Sequence, residues 1–195
     1  DVKCDGEWLV TSQSGTHDVS IVDYKAMIEK LNAYADKSKL DYDLYFMRGI
    51  RVRLPIEGNG PRAMAMREGK IYLPTYFSDV LNVVDLAEQS VEAVAYNPQR
   101  VESPRDRGER AFNDASLCYQ NWQSCNGCHP DDGRTDGMNW DLMNDGIGNP
   151  KNCKSMLFSF QTPKNMISGI RDHAGIAVRA GYKFIQFCDV DEATA

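Results

Sequence analysis

The chain is 195 residues long, 42% hydrophobic and 26% charged, with a formal net charge of -6, which leaves room for one large or two small domains of ordinary soluble composition. The acidic balance excludes nucleic acid as a general partner, because phosphate binding needs a basic face. No stretch approaches the roughly 18 apolar residues that span a bilayer, and the polar start Asp1-Val2-Lys3-Cys4 carries no signal peptide, which suggests a mature or trimmed product.

Residues 1–97 read as strands and turns. Gly6 to Thr11 is a short apolar run, Ser12 to His17 is turn-rich, and Val19 to Asp23 alternates at the strand period. The same grammar returns 62 residues later: residues 6–23 align with 68–85 without a gap, and both copies close on a hydrophobic pair followed by Asp (Ile21-Val22-Asp23, Val83-Val84-Asp85). That is an internal repeat. Between the copies, the apolar spacing from Tyr24 to Leu31 predicts a helix, with residues 24–40 as a helical insertion in the first copy. Arg51 to Ile56 alternates like an edge strand that ends at Pro55. Gly58 to Met66 reads as a tight turn entering another strand.

Residues 98–108 are polar, hold prolines, and read as a linker. Beyond it, residues 109–195 turn helical. Asp106 to Asp114 suits a short helix with Ala111 and Phe112 facing inward. Residues 130–153 are rich in Gly, Asn and Asp and read as a long loop, of the kind that carries function. A last helix is expected from Thr162-Pro163 to about Ala180, with Gly181 stopping it.

Two of the six cysteines lie in Cys125-Asn126-Gly127-Cys128-His129, the spacing of a c-type haem attachment site. Two thiols one helical turn apart can reach the two vinyl groups of one porphyrin, and the adjacent His supplies the proximal nitrogen to iron. A thioredoxin-like pair would follow a strand in a βαβ setting and has no need of the His. A zinc site would need a second ligand pair, and Cys118 and Cys153 are not another C-x-x-C. Cofactor-binding residues are therefore Cys125, Cys128 and His129, and the cofactor is one covalent haem c. Such attachment occurs outside the cytoplasm, so a periplasmic, cell-surface or secreted location follows. Cys4, Cys118, Cys153 and Cys188 allow three full pairings, and one or two disulfides suit an oxidising compartment.

Two resemblances extend this reading. Residues 5–97, above all Leu54 to Ala65 followed by Gly69 to Asp85, resemble blades of the YVTN-type β-propeller proteins, the first copy lengthened by its insertion. A closed propeller needs at least four blades and about two are here, which implies the C-terminal piece of a longer protein. Residues 105–175 resemble the first haem region of the di-haem cytochrome c peroxidase superfamily, through Arg107 to Asp114, Ser124 to Gly137 and Asn149 to Met156. That resemblance implies an exported haem protein that handles electrons, a redox partner protein or small electron donor, and a second haem region outside this chain. Two departures stand out. No second C-x-x-C-H lies in residues 130–195, and the loop that carries a peroxidase His in that superfamily here reads Asp141-Leu142-Met143-Asn144-Asp145-Gly146. Peroxidase activity is not carried over.

For the sixth iron position, Met138, Met143, Met156 and Met166 follow the motif, and thioether sulfur is a common ligand. Met166 is the candidate, together with His173 seven residues on, because both fall on one face of the expected last helix; an open sixth site, with no protein ligand, is the alternative. Any one of these methionines can equally be core. His17 reads as an exposed loop residue. Tyr119, Trp122 and Trp140 suit packing against a porphyrin, and Trp140 an electron path. Asp131, Asp132, Asp136, Asp141 and Asp145 could hold Ca²⁺ but do not fit the EF-hand pattern, so a solvated loop is favoured. Asp172, Asp189, Asp191 and Glu192 read as a solvated face. The expected fold is α+β multidomain: antiparallel β with about two propeller-like blades and a helical insertion, then a mainly α cytochrome c-like domain. The functional choice lies between an electron-transfer module, part of a di-haem peroxidase- or oxidase-like enzyme, and a surface binding protein whose propeller recognises a ligand.

Overall fold

A computed structural model describes residues 1–141, 148, 150–166 and 168–190. The chain separates into two compact units, Asp1–Val101 and Glu102–Ala195, and the division falls inside the expected linker.

The first unit is built from alternating apolar residues in short runs, and these pair as two four-stranded antiparallel sheets. The first sheet runs β1 (Val2–Cys4), β2 (Trp8–Gln13), β3 (Asp18–Asp23) and β4 (Arg51–Pro55), each beside its predecessor. The second repeats that order with β5 (Ala65–Arg67), β6 (Lys70–Pro74), β7 (Val80–Asp85) and β8 (Ser90–Ala95). The repeat read from sequence holds at the level of register: Trp8 pairs Asp23 as Lys70 pairs Asp85, and Val10 pairs Ile21 as Tyr72 pairs Val83. Between β3 and β4 sits the insertion, helix α1 (Tyr24–Ala33), started by the Asp23 carboxylate accepting from Ala26 N–H, followed by a 3₁₀ helix over Lys37–Tyr42. The second sheet has only a tight turn there, with the Asp85 carboxylate accepting from Ala87 and Glu88 N–H.

Val10, Val19, Ile21, Met64, Ile71, Leu73, Val84 and Leu86 form the core of this unit. Full burial of each contributes about 1.5–3 kcal/mol. Asn82 is buried without exposure because its side-chain amide takes the place of a strand: Oδ1 accepts Glu57 N–H at 3.0 Å and Nδ2 donates to Glu57 O at 2.9 Å. Gly60 has a φ of +74°, and a Cβ there would lie 2.5 Å from the Phe77 ring, so the turn before β5 closes only with glycine.

The second unit corrects the expectation of a mainly α domain. Its longer helices are α2 (Pro104–Asn113) and α5 (Ala174–Phe184); α3 (Cys125–Cys128) and α4 (Pro130–Gly133) are single turns. Much of the rest is turn and irregular chain, with a two-stranded antiparallel pair, β9 (Asn139–Trp140) and β10 (Lys151–Asn152), inside the expected long loop. Helix α2 starts within the expected linker, because Ser103 and Asp106 form a reciprocal capping box and Pro104 is suited to the first turn.

The last helix also differs. The described residues from Thr162 to Asp172 are not helical. Asn165 and Arg171 exchange two backbone hydrogen bonds, closing a loop in which Met166 has a φ of +71°. Helix α5 begins only at Ala174, and Gly181 lies within it. Met166 and His173 therefore do not share a helix face.

Candidate functional site

Helix α3 is one turn long. Its Cys125 O accepts His129 N–H at 2.9 Å, which sets Cys125 and Cys128 three positions apart on the same side of the turn. His129 leaves the helix at φ -120°, ψ 62°, as the residue before a proline must avoid the helical region. The chain then reverses through Asp131, Asp132 and Gly133, all at positive φ.

Two supports hold this turn. On the Cys125 side, buried Gln186 bridges the motif to the chain before it: its amide oxygen accepts Cys125 N–H at 3.2 Å and its amide nitrogen donates to Leu117 O at 3.2 Å. Buried Tyr182, one turn earlier, donates its hydroxyl to Ala111 O at 3.2 Å and ties α5 to α2. On the His129 side runs the segment that follows β10. Cys153 donates its thiol to Cys128 O at 3.0 Å, and its sulfur lies 3.6 Å from His129 Nδ1. Met156 N–H donates to Gly133 O at 2.7 Å. Asp136 accepts Trp140 Nε1–H at 2.9 Å and Met138 N–H at 2.9 Å. The Asp136 carboxylate thus fixes the Trp140 indole.

The electrostatics are those of protonated thiols. Burial pushes Cys125 up. Burial, then the neighbouring Cys153 and Asp136, pushes Cys128 up to about 11. Burial also raises Cys153, and the Met138 N–H holds Asp136 below the usual carboxylate range. A disulfide-exchange pair needs the opposite, a thiol pKa drawn down toward neutrality, so this site is poorly suited to redox dithiol chemistry. All six cysteines are free thiols; the expected disulfides are not formed, and Cys118 is buried as a thiol. Among the described residues no group of three or more His, Cys, Asp or Glu side chains is arranged to hold a metal ion, which gives no support to a zinc site or to Ca²⁺ at Asp131, Asp132 and Asp136; Asp145 lies outside the described residues.

The donor set that a covalent haem needs is present: two free thiols one turn apart and the imidazole next in the chain. The second unit also leaves Tyr119, Trp122, Phe158, Phe160, Phe184 and Phe187 at least 53% exposed, an unusual display of aromatic surface for a small unit.

Other expected residues are placed as follows. Met166 is 50% exposed in the bridged loop and Met138 is 58% exposed. Met156 is half-buried and tied by its backbone to Gly133, and Met143 lies outside the described residues. His173 is exposed at the start of α5. His17 is not an exposed loop residue: it is half-buried, and its Nδ1 accepts Gly60 N–H at 3.1 Å. Asp172 and Asp189 are solvated, as expected; Asp191 and Glu192 lie outside the described residues. Sequence reasoning missed Cys153 beside His129 and Gln186 behind Cys125, neither of which has a local spacing signal.

A cleft of about 570 Å³ in the other unit is lined by Lys3, Cys4, Asp5 and residues 64–68. Among the described residues no helix is long and apolar enough to cross a membrane.

Comparison with known proteins gives one curated relative of note. Over 98 residues the chain is 33% identical to the hydrazine synthase subunit gamma of Kuenenia stuttgartiensis, a stretch that covers 50% of this chain and 28% of that protein. No family model matches the chain, and no solved structure matches it. The chain thus spans under a third of the relative it resembles.

Proposed function

We propose that this chain is part of an exported c-type haem protein that transfers electrons within a larger redox enzyme. The observation that carries the reading is the Cys125-Cys128-His129 turn: two free thiols and an imidazole, held from both sides. Cys125 and Cys128 would anchor the porphyrin as thioethers and His129 would hold the iron. A haem bound there supplies a one-electron couple whose potential is tuned by its axial ligands and surroundings. The chain's own part is to fix the His129 ring, through the segment Cys153–Met156, and to exclude water from the ring face with its aromatic residues.

The likeness to a subunit of a hydrazine synthase supports a redox role and a place in a multi-part enzyme. On this reading the sheets of the first unit are propeller-like blades, the second unit belongs with the di-haem cytochrome c peroxidase superfamily, and a second haem region lies outside these residues. The physiological partner is a redox protein or a small electron donor. Met166, in the bridged loop, and His173, at the start of α5, stay the candidates for the sixth iron position, against an open site.

Protein matured with c-type haem machinery should give a pyridine haemochrome spectrum of haem bound by two thioethers. A correctly matured sample without covalent haem would overturn the proposal. If Met166 ligates iron, Met166→Ala abolishes the sulfur-to-iron charge-transfer band. A wild-type protein that lacks the band and binds cyanide quickly has an open sixth site.

A further inference from the structure

The Cys153 sulfur lies 3.6 Å from His129 Nδ1, which leaves Nε2 as the nitrogen for iron. An imidazole that gives one ring nitrogen to a metal keeps its hydrogen on the other, and the acceptor of that hydrogen sets how basic the ligand is. The identity of the atom beside Nδ1 therefore bears on the couple itself.

Cys153 is held in this place by its backbone. Its N–H donates to Met138 O at 2.9 Å, and its O accepts the Thr135 hydroxyl at 2.8 Å. The residue before it, Asn152, pairs with Asn139 across β9 and β10. The single thiol hydrogen goes to Cys128 O at 3.0 Å, so the side chain turns sulfur lone pairs toward the imidazole. A thiol sulfur is a weak acceptor, whereas the usual partner of a metal-bound His is a carboxylate, a carbonyl or water. A carboxylate stands close by, but Asp136 accepts from the Trp140 indole and from Met138 N–H, each at 2.9 Å.

We infer that Cys153 is the positioning residue of the axial imidazole: its sulfur accepts the Nδ1 hydrogen of His129 and, as a weak acceptor, sets the iron potential higher than a carbonyl or carboxylate in its place would. A strong acceptor gives the ring imidazolate character and favours Fe(III), while a weak one favours Fe(II). The inference rests on the haem reading and adds to it the side chain that tunes the couple.

The test is a redox titration of the matured, haem-loaded chain with two substitutions of opposite sense. Cys153→Asn sets an amide oxygen, a stronger acceptor, beside Nδ1. It should move the Fe(III)/Fe(II) equilibrium about tenfold toward Fe(III), about 59 mV for a one-electron couple. Cys153→Val leaves Nδ1–H without an acceptor in a similar volume, and should move the equilibrium about threefold toward Fe(II). Cys153→Ala carries the same expectation as Val should the larger side chain disturb the site. A residue that only packed the loop would move all variants in one direction. Shifts of one sign, or shifts below twofold in protein that carries covalent haem, would overturn this inference and leave the haem reading standing. Loss of covalent haem in all three variants would make Cys153 a structural requirement of the motif and overturn the tuning role. Wild-type protein that matures without covalent haem would overturn both readings together.

Discussion

The two units of this chain bury their side chains in different ways. All of the largest fully buried side chains, from Ile21, Ile71 and Leu73 to Pro61, belong to the first unit. Among its described residues the second buries mainly small groups, Ala111, Ala115, Cys118 and Ala174, with Tyr182 and Gln186 as larger buried side chains, while most of its phenylalanines face outward. The first unit makes its core from its own sheets, by a repeated register that brings β-branched residues face to face. The second has a capped helix, a tied motif and many hydrogen bonds, but little apolar interior. On the reading proposed above, a unit organised in this way would take part of its core from a porphyrin anchored at Cys125 and Cys128.

The strongest way to break that contrast is to remove the anchors. In matured protein, Cys125→Ser with Cys128→Ser should eliminate covalent haem. Slow amide hydrogen exchange across the described residues of 102–190 should then weaken by about tenfold or more, with that of β6 and β7 kept within about twofold. Covering one large apolar side chain contributes about 1.5–3 kcal/mol, so uncovering even one removes a sizeable part of the roughly 5–15 kcal/mol that holds a typical domain together. Protection retained equally in both units would mean that the second unit needs no haem for its fold.

The opposite experiment strikes the self-sufficient core. Ile71 is fully buried at the middle of the sheet-on-sheet contact, and Ile71→Ala should cost about 2–5 kcal/mol through lost burial and the cavity left behind. Chemical denaturation followed by tryptophan fluorescence of Trp8, which packs on the same cluster, reads that loss. The haem spectrum should remain unchanged, because the second unit does not use this core. A loss below about 1 kcal/mol would mean that the first unit does not depend on the contact between its sheets.

How far the sequence could be read follows the same division. The repeat was legible because alternation is local and the two copies keep one spacing, so β2, β3, β6 and β7 lie where the pattern puts them. The strand β8 also alternates, in Val91, Ala93 and Ala95, but its small residues gave a weak signal and it was passed over. The C-x-x-C-H spacing was legible because it works within one helical turn. Cys153 was not, because a short pairing of β9 with β10 carries it back to His129 across 24 positions. The last helix was misplaced because Thr162-Pro163 resembles a helix start, whereas the two backbone bonds between Asn165 and Arg171 close a loop there and delay the helix to Ala174. Non-local closure of that kind leaves no periodic trace.

The smallest effect is chemical and separates a haem-attachment pair from a redox pair in haem-free protein. Burial, reinforced by Cys153 and Asp136, pushes the Cys128 thiol up to about 11, so at pH 8 only about one molecule in a thousand carries the thiolate that reacts. Iodoacetamide should therefore label Cys4, exposed on β1, at least tenfold faster than Cys128. The Cys128 rate should climb about tenfold per pH unit from 8 to 10. The raised pKa means that folding favours the protonated thiol, so this group's contribution to stability is fully present below the unfolded value near 9 and is lost as pH rises toward 11. Folded, haem-free protein in which Cys128 reacts as fast as Cys4 at pH 8 would carry a thiolate ready for disulfide exchange, and the motif would then be a redox pair. Once haem is attached, Cys125 and Cys128 should resist the reagent at every pH while Cys4 still reacts, because a thioether has no proton to lose.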